Sequence, residues 1–359
     1  MSLPELWFVI IAVLWTGFFV LEGFDFGVGV LHGVVTRSES EKRVAINAIG
    51  PFWDANEVWL VVGGAAIFAA FPPWYATWLS AGYLAIVLLL AALIVRGVSF
   101  EFRAKVDSPT WRATWSGTLA VGSLVAPVVL GVALGDLVVG LPVDGNQDYT
   151  GSFWDLFTGY GVWTAVTLLA LCLLHGATFL ALRTTGELRS RTRRTAGALA
   201  PVAFVAAAVF AFWTLRIADR SAGLYVTLAL ALVGPLAAVL LLRTGAEAGG
   251  FAATAVGMAG TVAALFVALY PDVLVSSTSP RFTLTVAGSA SGHYALQVMT
   301  VVAVVLLPVV LLYQGWSYVV FRRRLAEPPE GGQTSQGPNQ PPWPATSSSA
   351  AAGPHEPGA

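Results

Sequence analysis

Nine runs of mostly apolar residues occupy most of this chain: 5–31, 51–70, 75–95, 116–138, 154–182, 196–215, 222–242, 250–270 and 293–321. Each is about the 20-residue length a helix needs to cross a bilayer. Lipid offers no partner to an unpaired backbone N–H or C=O, so a chain built this way is expected to be an all-α integral membrane protein with nine transmembrane helices. Strand periodicity is absent from all nine runs. The prolines inside them (Pro127, Pro201, Pro235 and Pro308) are tolerated in spanning helices, whose neighbours satisfy the freed backbone groups. Composition agrees. Only 11% of the residues are charged, against roughly 25% in an average soluble domain, and mean hydropathy is +0.73. A lone globular enzyme, a nucleic-acid binder and a disordered scaffold are all excluded by that surface. The net charge of -1 points to no acidic or basic partner, so the placement of charges carries the information.

That placement predicts the orientation. If the side reached after the first run is "in", sixteen of the nineteen Lys and Arg residues fall on in-side segments. Only Arg216, Arg220 and Arg281 fall outside. Positive residues favour the cytoplasmic side, and one missed helix would invert every later segment. The expectation is an external N-terminus, nine spans and a cytoplasmic C-terminus. The first run lacks the positive flank of a cleaved signal peptide and reads as a retained helix. Residues 1–325 form the membrane domain. Residues 326–359, rich in Pro, Gly and Ser, read as a disordered cytoplasmic tail. Val20-Leu21-Glu22-Gly23-Phe24 resembles Leu173-Leu174-His175-Gly176-Ala177, which suggests two four-helix units plus one peripheral ninth helix. The single cysteine, Cys172, can form no intrachain disulfide and reads as a small packing residue.

Ionisable groups inside spanning runs are costly and are candidates for function. Glu22 and Asp25 lie three residues apart and share a helix face; Asp54 and Glu57 repeat that spacing on the second run. The connecting segment is short, so the four carboxylates are expected at one depth, with Asn56 among them. Such a group can hold and pass protons, which makes Glu22, Asp25, Asp54, Glu57 and Asn56 the predicted proton path. Alternatives stand beside this reading. Asp54 fits a first helical turn, where free N–H groups stabilise a carboxylate, and Glu57 fits an interfacial pair with an Arg. Arg96, Glu101, Arg103 and Lys105 read mainly as an orientation-setting cluster at a helix end; an ion pair of Arg96 with a buried carboxylate is the alternative. Asp136 reads as solvated near an outer end.

Metal or heme ligation is not expected. His32 and His293 fall at helix rims, and His175, the deep one, reads as a hydrogen-bonded packing residue. Outside the initiator and the tail, Met258 and Met299 are the other residues of the axial-ligand type. There is no phosphate-binding Gly-rich loop, no zincin motif and no nucleophile triad.

Several motifs add a resemblance. Gly23-Phe24-Asp25-Phe26-Gly27-Val28-Gly29 resembles the end of the first helix in subunit II of the cytochrome bd quinol oxidase family. Gly50-Pro51-Phe52-Trp53-Asp54-Ala55-Asn56-Glu57-Val58-Trp59-Leu60 is similar to its second-helix motif, with Ala55 where the family has Gly. Phe68-Ala69-Ala70-Phe71-Pro72 and Arg96-Gly97-Val98-Ser99-Phe100-Glu101-Phe102-Arg103 fit as well. So do Ser276-Ser277, Tyr294, Leu296, Met299, Pro308, Tyr313-Gln314, Trp316, Tyr318 and Phe321-Arg322. The likeness runs from about residue 5 to 324. It implies a heme-free subunit of a complex that oxidises membrane quinol and reduces O2 to water. The two b hemes and one d heme would be carried by subunit I, with small single-helix accessory subunits as further partners. It also implies that Asp25 and Asp54 match the family's polar-path carboxylates, with Glu22 and Glu57 at positions that vary. From the residues alone, a proton-coupled secondary transporter or antiporter is the competing function, and a purely structural partner is a third.

Overall fold

The computed structural model describes residues 1–326, and residues 327–359, which hold nearly all of the expected tail, lie outside the described residues. Eleven α-helices account for most of the described chain: α1 (Leu3–Val35), α2 (Glu39–Ile49), α3 (Trp53–Ala70), α4 (Pro72–Ala81), α5 (Tyr83–Phe102), α6 (Pro109–Val139), α7 (Gly159–Arg183), α8 (Gly186–Ile217), α9 (Ala222–Arg243), α10 (Glu247–Leu269) and α11 (His293–Val320). Two short strands, β1 (Asp272–Leu274) and β2 (Leu284–Thr285), pair antiparallel in the segment between α10 and α11. Eight of the helices, α1 and α5 to α11, are long and apolar enough to cross a membrane.

The helices differ from the apolar runs in physically traceable ways. The run 51–70 is α3, an 18-residue helix in which Asp54, Asn56 and Glu57 lower the mean hydropathy below that of the eight. The run 75–95 is divided at Gly82: α4 ends there, and α5 carries the apolar stretch on to Phe102. The basic segment before residue 196 is helical, because α8 begins at Gly186 and lifts Arg189, Arg191, Arg193 and Arg194 onto its first turns. Helix starts follow from their caps. Ser2 and Glu5 form a reciprocal capping box on α1, and Ser108, Thr158 and Ser221 accept backbone N–H groups at the starts of α6, α7 and α9.

Helix α1 is the centre of the assembly and packs on α3, α6, α7 and α10. Small residues set how closely it is approached. A Cβ at Gly27 would collide with the Cys172 carbonyl and the Gly176 Cα, and one at Gly176 would strike the Gly27 backbone. Gly234 of α9 meets Gly257 of α10 in the same way. Apolar lipid gives spanning helices no hydrophobic drive to associate, so close backbone contact of this kind carries much of the packing. Helix α11 is peripheral and mostly exposed, with only Leu296 and Gln314 buried.

The rim at the C-terminal end of α1 is held by ion pairs. Glu41 of α2 pairs with Arg191 of α8 and accepts the Arg37 N–H at 2.6 Å; Arg191 Nε also donates to the Val35 carbonyl at 2.9 Å. Burial works against the Glu41 carboxylate, but the Arg37 N–H and Arg191 outweigh it and hold its pKa below the usual range. A lowered pKa contributes stability above the ordinary glutamate value of about 4.3 that is lost as pH falls through the folded value. Glu247 takes Arg189 and Arg324, each at 2.6 Å, and the Leu325 N–H reaches the Arg183 carbonyl at 2.7 Å.

Two glycines on α1 give a direct check of the packing. Gly27→Ala should strongly lower the yield of folded protein in membranes. Gly33→Ala, where a Cβ meets nothing within 4 Å, should retain it. Equal yields for the two variants would contradict the close α1–α7 contact.

Candidate functional site

Glu22 and Asp25 lie one turn apart on α1, and both are completely buried. Opposite them, α5 contributes Arg96, also completely buried. It can come so close because α6 carries Gly122, where a Cβ would stand 2.6 Å from the Ala92 carbonyl and 2.8 Å from Arg96 Cβ. Arg96 Nη2 is 2.6 Å from Glu22 Oε1, Nη1 is 3.2 Å from Glu57 Oε2, and Nε donates to Ser123 Oγ at 3.2 Å. The Glu22 contact is an ion pair rather than an aligned hydrogen bond. The guanidinium also lies over the Phe26 ring, 4.9 Å from its centroid, a favourable place for a desolvated cation. Arg96 is therefore not a snorkelling residue: its charged end turns inward to the carboxylates, while Arg103, one helical stretch on, takes the rim position with Glu39 at 2.6 Å.

A second set of bonds extends from Asp25. Asn56 Nδ2 donates to Asp25 Oδ2 at 2.7 Å and to the Leu21 carbonyl at 3.0 Å. Asn56 Oδ1 accepts from Gln314 Nε2 at 3.1 Å and from the Tyr318 hydroxyl at 3.0 Å. Gln314 Oε1 in turn accepts from Trp59 Nε1 at 2.8 Å, and Tyr318 stacks on Phe52 at 4.6 Å. Asn56 thus joins α1, α3 and α11 with every polar atom of its amide in use. Asp25 Oδ1 and Glu22 Oε2 are buried and accept from no N–H or O–H group of the described residues, and the two carboxyls face each other.

The structure brings Glu22, Asp25, Asn56 and Glu57 together but leaves Asp54 apart. Asp54 sits in the first turn of α3, exposed, where the free N–H groups of the helix end favour a carboxylate. Ser123, Gln314 and Tyr318 join the site without having been singled out for it. Gln314 and Tyr318 did leave a signal, being polar residues four apart on one face of an apolar helix. Ser123 left none beyond a hydroxyl in an apolar run.

Asp136 is the clearest correction outside the cluster. It is 1% exposed rather than solvated, and its Oδ1 accepts from Thr158 Oγ1 at 2.5 Å. The reason is packing: Gly135 and Gly161 draw α6 and α7 together at that level and close the carboxyl in. It lines an apolar cavity of about 250 Å³ with Trp78, Val129 and Phe153 among its walls.

The histidines are distributed as follows. His175 Nε2 lies 3.1 Å from the Val20 carbonyl and Nδ1 lies 2.6 Å from Thr254 Oγ1, with the ring flat against Phe251 at 4.5 Å. His293 opens α11. His32 is 1% exposed, with Nδ1 2.7 Å from the Gly29 carbonyl. Among the described residues no group of three or more His, Cys, Asp or Glu is placed to hold a metal ion.

Comparison with known proteins assigns this architecture. A family model described as cytochrome bd terminal oxidase subunit II matches residues 3–321. The chain is 45% identical to the cytochrome bd ubiquinol oxidase subunit 2 of Bacillus subtilis, over 90% of this chain and 97% of that one. It is 36% identical to the cytochrome bd-I ubiquinol oxidase subunit 2 of Escherichia coli, over 87% and 92%. Its fold resembles that of a chain in the bd oxidase structure from Geobacillus thermodenitrificans, with a TM-score of 0.69, 17% identity and coverage of 90% of this chain and 98% of that one. A cluster of buried carboxyls on a bundle of spanning helices thus belongs to a known kind of membrane protein: the chain is a member of the cytochrome bd terminal oxidase subunit II family, a subunit of a quinol-oxidising, O2-reducing complex.

Proposed function

We propose that this chain is the heme-free subunit of its oxidase and that it supplies protons to the partner subunit's chemistry while stabilising that partner. The observation that carries the proposal is the buried cluster of Glu22, Asp25 and Glu57 around one guanidinium. Three carboxyl groups face a single positive charge in an apolar bundle. Unpaired buried charge is expensive, so protons make up the balance. Asn56 fixes Asp25 Oδ2 and leaves Oδ1 as the open oxygen at which a proton can be held and released. Asp54, exposed at the start of α3, fits the mouth of the same path, turned towards solvent or the partner. The match over residues 3–321 leaves the transporter reading without support.

The hemes, two of b type and one of d type, belong on subunit I in this reading; with quinol they supply the electron transfer. His175 supports their placement there, because each of its ring nitrogens already faces a group of this chain. Small accessory subunits are further partners. The proposed topology counts α3 as a ninth span beside the eight apolar ones, giving two four-helix units, α1, α3, α5, α6 and α7 to α10, with α11 outside them. The N-terminus is external and the C-terminus cytoplasmic in a bacterial plasma membrane. Residues 1–325 form the membrane domain.

Three outcomes are expected. Asp25→Asn and Asp54→Asn should each lower O2 consumption per assembled heme d by about tenfold, below the roughly 100-fold of a single indispensable acid–base group because neighbouring carboxyls substitute in part. Normal turnover across about pH 6 to pH 9 would remove the proton-path role. A carboxylate that only favours the first turn of α3 through the helix dipole would leave turnover per heme unchanged in Asp54→Asn, at a stability cost of about 1 kcal/mol or less. Arg96→Leu should destabilise the complex by about 3–5 kcal/mol, the usual cost of leaving buried charge unpaired. Adding Glu22→Gln to Arg96→Leu should recover part of that loss in a thermal unfolding measurement. Reporter fusions at residues 145 and 285 should read outside, and those at 190 and 330 inside; an external reading at 190 would sink the nine-span topology.

A further inference from the structure

Charge on the rim is balanced in one stretch and not in another. Around α2, Lys42, Arg103, Arg112 and Arg191 pair with Glu39, Asp107, Glu41 and Glu187, four cations with four carboxylates. Where α8, α9 and α10 meet, cations are in excess. Glu247, 3% exposed in the first turn of α10, takes Arg189 and Arg324 at 2.6 Å each, and Arg193 stands 3.8 Å away. Three guanidiniums face one carboxylate, which leaves two positive charges at that corner. About a third of each arginine side chain is exposed, so an anion from outside can reach them. Helix α9 leads to the same corner from the membrane. Its Leu236, Leu240 and Arg243 follow at i, i+4 and i+7 and share one face. Leu236 is 48% exposed and Leu240 62%. Arg243, the last residue of α9, is exposed and has no hydrogen bond or ion pair among the described residues. One residue before it, the Leu242 carbonyl accepts from Arg193 Nη2. Helix α10 then begins at Glu247 with no side-chain cap on its free N–H groups. A lipid-facing apolar stripe thus ends at two guanidiniums, Arg193 and Arg243, beside an uncapped helix start.

We propose that this corner binds the phosphate of an anionic phospholipid, whose acyl chains lie along the Leu236–Leu240 face of α9. Apolar helix faces do not tell one lipid from another, so the selection falls to the rim. A phosphodiester offers several acceptor oxygens to guanidinium donors, and such charge-assisted bonds are the strong ones. Basic pockets between spanning helices recognise anionic head groups in this way, and the free start of α10 adds partial positive charge. A zwitterionic lipid brings its own cation to a corner already two charges in excess and gains less. The bound lipid clamps α8, α9 and α10 at the rim. The inference stands apart from the proton-path reading, because none of its residues belongs to the carboxyl cluster.

The test is native mass spectrometry of the intact complex, stripped of lipid in a neutral detergent and titrated with phosphatidylglycerol, phosphatidylcholine or inorganic phosphate. Phosphatidylglycerol should bind about tenfold more tightly than phosphatidylcholine or better, and inorganic phosphate should not displace it. Arg243→Gln, which removes no bond among the described residues, should weaken phosphatidylglycerol about fivefold, and Arg243→Gln with Arg193→Gln about 25-fold. Lys105→Gln with Arg112→Gln takes two charges from the other stretch of rim and should leave the affinity within about twofold. Equal binding of the two lipids would overturn the proposal, as would undiminished binding in the double variant at 193 and 243. If that variant does not assemble, Arg243→Gln alone decides. Displacement by phosphate would mark a site for free anions rather than lipid. Binding that appears only when residues 327–359 are removed would mark the glutamates of that segment as the occupant, and would overturn the lipid assignment too.

Discussion

A guanidinium buried between carboxylates, inside helices surrounded by lipid, is the interaction to which the rest of this structure answers. Arg96 cannot be left alone at that depth. Glu22 and Glu57 neutralise it, Ser123 accepts its Nε–H, and the Phe26 ring covers its face. Glu22 and Phe26 come from α1, Glu57 from α3 and Ser123 from α6, so one side chain of α5 ties four helices together at a single level. The arrangement carries more carboxyl than guanidinium, and the proposed store of protons rests on that imbalance.

The backbone makes the cluster possible. Gly122 lets α5 approach α6 closely enough to bring Arg96 inside, and the Gly27–Gly176 contact sets α1 against α7. Helix α11 is loosely packed elsewhere but delivers Gln314 and Tyr318 onto Asn56. Its far ends are held separately: Trp7 Nε1 bonds the Leu296 carbonyl and Thr300 Oγ1 at one end, and Arg324 bonds Glu247 at the other. A peripheral helix fastened at three levels closes one side of the cluster.

Much of this was legible in the sequence. Apolar run length located eight helices long and apolar enough to span, against the nine runs expected, because lipid forces the backbone to satisfy itself within each one. The three-residue spacing of Glu22 and Asp25 placed both on one face, and the motifs around them pointed to the right family. What the sequence hid depends on the third dimension. Arg96 stands next to charged rim residues along the chain, and only the glycine at 122 on another helix shows that it turns inward. Asp136 looked solvated because its shield, the Gly135–Gly161 contact, comes from a helix more than twenty residues away. Asp54 shares a motif with Glu57, yet the first-turn geometry of α3 sends it to the surface. Glu57, one turn on, reaches the guanidinium.

The central claim is that the cluster holds transferable protons, and infrared difference spectroscopy of the intact complex between its reduced and oxidised states tests it most directly. The account predicts a protonated-carboxyl C=O band that changes between the two states, shifts in D2O, and is lost or displaced in Asp25→Asn. A difference spectrum with no protonated-carboxyl signal, or with one that is unchanged when Asp25 and Glu22 are replaced by their amides, would contradict it.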